Sequence, residues 1–231
     1  MRRGYFFWLK KLVLLCLAFA VSYVNADLII KHGETLTLSS TTSEILNVEG
    51  NLVIEGGGTL QGASNTEIRV SGDWDNSAGG NYNHGNSKVF FTGSGVSTIR
   101  GNNHFHHLVV NKKDAASGQE YTGSEIQIES GSTQTISSQL IINGASIDNR
   151  LKIRSTTNGE THTLNASSAS YVEAWFLDVD DSIFLGNIDS PVDIDSTSIV
   201  GPIVGSEAGD ISLFLFLFIL TLFNYIKRRY Y

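Results

Sequence analysis

Gly85-Asn86-Ser87-Lys88-Val89-Phe90-Phe91-Thr92-Gly93-Ser94-Gly95 is a short alternating run closed on both sides by turn residues. Val89 and Phe91 fall on one face of an extended strand, Lys88 and Phe90 on the other, because side chains alternate with a period of two. Glycine, asparagine and serine on either side supply the backbone freedom and local hydrogen bonding that turns need. The same pattern recurs outward in both directions, at Leu36-Thr37-Leu38, Leu52-Val53-Ile54, Ile68-Arg69-Val70, Leu108-Val109-Val110, Ile126-Gln127-Ile128, Leu140-Ile141-Ile142 and Leu151-Lys152-Ile153. Such triplets predict strands with one buried face.

The triplets begin at positions 36, 52, 68, 89, 108, 126, 140 and 151. A β-sandwich places turn signals about every 8 to 12 residues, and most of these intervals are longer than that. A parallel β-helix spends a longer repeat on each coil and buries the strand faces of successive coils against one another. The spacing favours an all-β, right-handed parallel β-helix of about eight irregular coils, with a sandwich as the alternative. No stretch in this region carries the 3.6-residue apolar period of an amphipathic helix.

Two apolar segments lie outside the triplets. Arg2, Arg3, Lys10 and Lys11 precede the apolar run Leu12 to Val24, and Val24-Asn25-Ala26 has the small-residue character of a cleavage site. This is the pattern of an export signal, so residues 1–26 are expected to be a signal helix and the mature chain to start near Asp27. Cys16, the one cysteine, lies in that signal, so the exported part folds without disulfides. Residues 211–226 form a second apolar run of about 24 Å as a helix, apolar on every face, followed by Lys227, Arg228 and Arg229. Basic residues after a span stay on the cytoplasmic side. The expected organisation is thus signal 1–26, β-helix domain 27–200, linker 201–210, membrane or sorting helix 211–226 and basic tail 227–231. The stretch Asp27 to Asp210 carries all 23 acidic residues against nine of the 16 basic ones, a net charge of −14. That field disfavours nucleic acid as a partner.

Beyond the triplets, Gly72-Asp73-Trp74-Asp75-Asn76, the run 85–95 quoted above, Thr98-Ile99-Arg100-Gly101-Asn102 and Phe105-His106-His107-Leu108-Val109-Val110-Asn111 follow one another. This order resembles bacterial cell-surface β-helix proteins of the filamentous-haemagglutinin and autotransporter-passenger type, over about residues 45 to 195. His106 and His107 stand where that type has tyrosine and asparagine. The end of the chain resembles the tripartite sorting tails of bacterial surface proteins, with Gly205-Ser206-Glu207-Ala208-Gly209 in place of their usual short motif. The resemblance implies an exported protein at the cell envelope or surface, structural or adhesin-like, with no catalytic activity of its own. It also implies the membrane, an envelope sorting protease and a polysaccharide or cell-surface ligand as partners. A secreted polysaccharide-binding or polysaccharide-lyase-like protein is the alternative.

Three groups are candidates for chemistry. His104 and His106 share a face of one strand, which suits a transition metal; whether a neighbouring coil brings His84 to them is not decided by the sequence. Arg150, Lys152 and Arg154 alternate, which suits an anionic sugar. Asp178, Asp180 and Asp181, with Asp189, Asp193 and Asp195 further on, are dense enough to suggest Ca²⁺, although no calcium-loop motif accompanies them. Solvated outer faces and turns are the plainer reading of all three groups, and no catalytic centre is expected.

Overall fold

The computed structural model describes residues 21–24, 26–41, 43–112, 124–188, 194–196 and 199–200. Among these it is all-β, and every strand pairing is parallel. The first three strands are β1 (Val21–Val24), β2 (Leu28–Ile30) and β3 (Thr35–Thr37). The next three, β4 (Ile45–Val48), β5 (Leu52–Ile54) and β6 (Thr59–Gln61), each lie on the corresponding strand of the first set. The third set, β7 (Glu67–Val70), β8 (Trp74–Asp75) and β9 (Asn81–Asn83), repeats this. A chain that returns to the same three positions in order is wound in coils with three faces.

Further along, two of the faces merge. β10 (Lys88–Phe91) and β11 (Val96–Arg100) continue the first and second sheets. β12 (Asn103–Val110) is long enough to occupy the third face and then turn onto the first, with an irregular register between Phe105 and His107 marking the corner. β13 (Glu125–Ile128) continues the second sheet, and β14 (Thr133–Asn143) rounds the same corner one coil later. Above β14 the corner reopens into two strands, β16 (His162–Asn165) and β17 (Tyr171–Trp175). β15 (Leu151–Ser155) and β18 (Leu177–Val179) extend the second sheet, and β19 (Ser182–Leu185) lies on β16. β20 (Ile194–Ser196) and β21 (Ile199–Val200) pair onward from these.

The core is a set of rows running through the coils. Leu46, Ile68, Val89, Leu108, Leu140 and Val172 stand one above another in register. The coils from Leu46 to Leu108 are short, and the two that follow, up to Val172, are longer by about half. Val48, Val70, Phe91, Val110, Ile142 and Ala174 form a second row. Every residue in both rows is buried. Stacking side chains at the strand spacing of about 4.8 Å removes their apolar surface from water without any helix to cover it. All eight triplets lie in or across strands, but their spacing is not the coil length. Those at 108 and 126 lie in one coil, as do those at 140 and 151, because each coil has more than one apolar face.

Trp74 is fully buried at the middle of this stack. Its ring meets Tyr82 and Phe105 edge-on, with centres 4.8 Å and 5.3 Å away. Its Nε1–H donates to Asn103 Oδ1 at 2.9 Å. The Asn103 amide in turn donates to Gln134 Oε1 at 2.9 Å, so a polar seam runs up the merging corner and satisfies the indole.

Val21–Val24 takes part in this architecture as β1, although these residues belong to the expected signal segment. Residues 1–20 and 25 of that segment, the expected linker, the expected 211–226 helix and the 227–231 tail lie outside the described residues. Among the described residues no helix is long and apolar enough to cross a membrane.

Candidate functional site

Two outer regions and two buried pairs carry the polar chemistry. The first outer region is the histidine corner. His84 follows β9 and leads into a tight turn whose next residues, Gly85 and Asn86, both have positive φ, 51° and 66°. A Cβ on Gly85 would strike the backbone of Gly62, so glycine is required there and the turn position is set by the coil beneath. The Asn86 N–H donates to His84 Nδ1 at 3.2 Å. This holds the His84 ring against β12, 4.7 Å from the His104 ring centre and 5.5 Å from that of His106. His106 touches His107 edge-on at 4.4 Å. Partial burial first, and then repulsion from His104 and His106, lowers the basicity of His84. His106 is lowered by burial and then by His104. His107 is lowered by burial, then by His106, with Lys88 adding to it and the Gln139 hydrogen bond opposing. The expected pair, His104 and His106, is therefore part of a cluster, joined by His84 from one coil earlier. As the side chains lie, no three of His, Cys, Asp or Glu among the described residues are set to hold a metal ion.

The second outer region joins Arg154 of the basic candidates to Asp178 and Asp180 of the acidic ones. Arg154 Nη2 lies 2.8 Å from Asp178 Oδ1, and its Nε lies 3.3 Å from Asp180 Oδ2. Arg154 also donates to the Asp178 carbonyl at 2.6 Å, which ties adjacent coils together. Lys152 lies between Glu125 and Asp178 in the ladder. Arg150 donates to the Leu177 carbonyl at 3.1 Å. Parallel stacking thus inserts carboxylates between the cations that alternation in the sequence grouped together. Arg154 is thus committed to two carboxylates, whereas Arg150 meets a backbone carbonyl and Lys152 is exposed. Of the acidic candidates, Asp178 and Asp180 meet the Arg154 guanidinium. Asp181, at a positive φ of 55°, accepts the Gly159 N–H at 2.9 Å. Asp189, Asp193, Lys227, Arg228 and Arg229 lie outside the described residues, and only the backbone of Asp195 is described.

The buried pairs are not legible in the sequence. Ser182 Oγ lies 2.9 Å from His162 Nε2 across neighbouring coils. Asp181 is adjacent, but its carboxylate serves Gly159, while His162 Nδ1 has no hydrogen-bond partner. His162 and Ser182 are 1% and 2% exposed, which closes the pair to substrate. Burial pushes the imidazole down to about 4, with Asp181 opposing. Lys112 Nζ donates to Ser97 Oγ at 2.7 Å and to the Gly95 carbonyl at 3.0 Å. Burial pushes this amine down to about 8, against Asp73 and Glu125. Both pairs plug polar gaps between coils. The one signal for them is spacing: a single short coil of chain separates His162 from Ser182. Such a pairing has meaning only once the register is known.

The outer side of the first sheet completes the surface. Phe90, Val109 and Ile141 stack in one column between Arg69 and Glu173. Beside them the phenol of Tyr171 donates to Glu173 Oε2 at 2.8 Å, and Asn143 Nδ2 donates to Glu173 Oε1 at 2.7 Å. Trp175 and Phe176 follow at the corner, ring centres 6.1 Å apart. Phe176 has a φ of 50°, a left-handed conformation that is costly for a bulky residue and sets the sharp bend between β17 and β18. Comparison with protein-family models, curated proteins and solved structures finds no match for this chain.

Proposed function

We propose that this chain is an exported, envelope- or surface-anchored scaffold, a right-handed parallel β-helix of about eight coils that presents its outer faces to a polysaccharide or cell-surface ligand and has no catalytic activity of its own. Right-handedness follows the general preference of parallel crossovers. Export and anchoring rest on the basic-apolar-small pattern of residues 1–26 and on the apolar run 211–226 with its basic end.

The observation that carries the ligand-presenting role is the outer face of β17. Tyr171, Trp175 and Phe176 offer aromatic surface beside the hydrogen-bonded Glu173–Asn143 pair. Aromatic faces with a few fixed polar groups suit the C–H faces and hydroxyls of a sugar chain. Among the alternatives, a binder of polysaccharide is favoured over a lyase, because Arg154 is committed to Asp178 and Asp180.

Two experiments test the reading. Deleting residues 211–231 is expected to shift the protein from the membrane fraction into the medium; a truncated chain that stays with the membrane overturns the anchoring. Retention on immobilised polysaccharides is expected to fall about tenfold or more in Trp175→Ala. Binding unaffected by that change removes the β17 face as the ligand surface.

A further inference from the structure

We infer that His84, His104 and His106 form a transition-metal site on the outer corner between β9 and β12, of the imidazole-only kind that takes Zn²⁺, Cu²⁺ or Ni²⁺. Four of the six histidines of the chain, His84, His104, His106 and His107, lie in one ring-to-ring chain. They come from two coils, so the grouping is a product of the fold and not of a local run.

The two separations made by His84 are those a metal needs. A metal–nitrogen bond of about 2.1 Å puts an imidazole centre about 3.2 Å from the metal, and tetrahedral ligands then hold ring centres about 5.2 Å apart. His84 stands 4.7 Å from His104 and 5.5 Å from His106, on either side of that value. What is lacking is the aim of one ring. The His84 and His106 planes are only 9° from parallel, and parallel planes do not direct two lone pairs at a shared point. Turning His106 about its Cβ–Cγ bond corrects this, at the cost of the long 3.3 Å approach of Nδ1 to Ser137 Oγ and of the edge-on contact with His107. His84 is already oriented by the Asn86 N–H on its Nδ1, which leaves Nε2 for the metal, the arrangement in which a partner on one ring nitrogen fixes the other as ligand. His104 is exposed and His84 and His106 half-buried, so an ion reaches them from solvent.

The test is calorimetric titration of the full chain in mild detergent with Zn²⁺, and electron paramagnetic resonance with Cu²⁺. One saturable equivalent is expected, with nitrogen hyperfine structure from imidazoles and an affinity that falls as the pH is lowered from 7.5 to 5.5. His104→Ala is expected to weaken binding at least about tenfold, and His84→Ala likewise, while His32→Ala on a distant turn leaves it unchanged. Circular dichroism of each variant, unchanged from the parent, separates loss of ligand from loss of fold. Absence of saturable binding, or binding that survives in the His84→Ala/His104→Ala double variant, overturns the site.

Discussion

At the scale of single residues, the buried polar groups decide how stability responds to conditions. The folded protein holds His162 near pKa 4, whereas an unfolded chain holds histidine near 6.5. Between these values the unfolded state binds the extra proton, so stability is highest above pH 6.5 and is lost as the pH falls towards 4. The full loss amounts to about 3 kcal/mol. Urea unfolding at pH 7 and pH 4.5 is expected to show most of it, and His162→Leu is expected to flatten that part of the profile. For Lys112 the window is pH 8 to 10.5, and its sign is the same, because there too the unfolded chain holds the proton that burial disfavours. Trp74 is the largest fully buried side chain and also a hydrogen-bond donor to Asn103. Trp74→Ala is expected to cost about 3–5 kcal/mol in denaturant unfolding. Trp74→Phe is expected to cost about 1–2 kcal/mol, for the lost bond and the smaller ring. Of these residues only Trp74 stands out in the sequence. His162 and Lys112 look like surface residues there, because their partners lie a coil away.

At the scale of elements, the sequence displays strands with two inward aliphatics and conceals those with one. Leu52–Ile54, Glu67–Val70 and Lys88–Phe91 are visible as alternation. Thr59–Gln61, with Leu60 as its one buried residue, and Asn81–Asn83 are as polar as the turns around them. Their strand character comes from the parallel neighbours, not from propensity. Turns obey two separate constraints, and a pair of substitutions distinguishes them. Gly93 has an ordinary backbone, but a Cβ there would run into the Ser71 carbonyl of the coil beneath. Gly131 has open space around it but a φ of 75°. Gly93→Ala is expected to cost about 1–3 kcal/mol by forcing coils apart, and Gly131→Ala about 1 kcal/mol by backbone strain alone. If the two lose equal stability, with no change in hydrogen-exchange protection around Ser71, close stacking is not the constraint at Gly93.

At the scale of the whole molecule, coils are stabilised chiefly by their neighbours, so every end is an edge. Ending the chain after Asn165 removes β17, β18 and β19 and bares the upper edges of β14, β15 and β16. Concentration-dependent association, read by light scattering, is expected for that truncation at concentrations where residues 27–210 remain dispersed. The same one-dimensional stacking governs where the candidate groups went. From the sequence alone came the all-β class, the acidic balance and the inward side of each triplet, since these depend on alternation and composition, which are local. The tertiary structure alone decided which residues share a column. It put Asp178 and Asp180 on Arg154. It also brought His84 against His104 and His106. Val89 to Leu108 is one coil, and so is the much longer stretch from Leu108 to Leu140. Register along a column is therefore set by which coils pack, and not by distance along the chain.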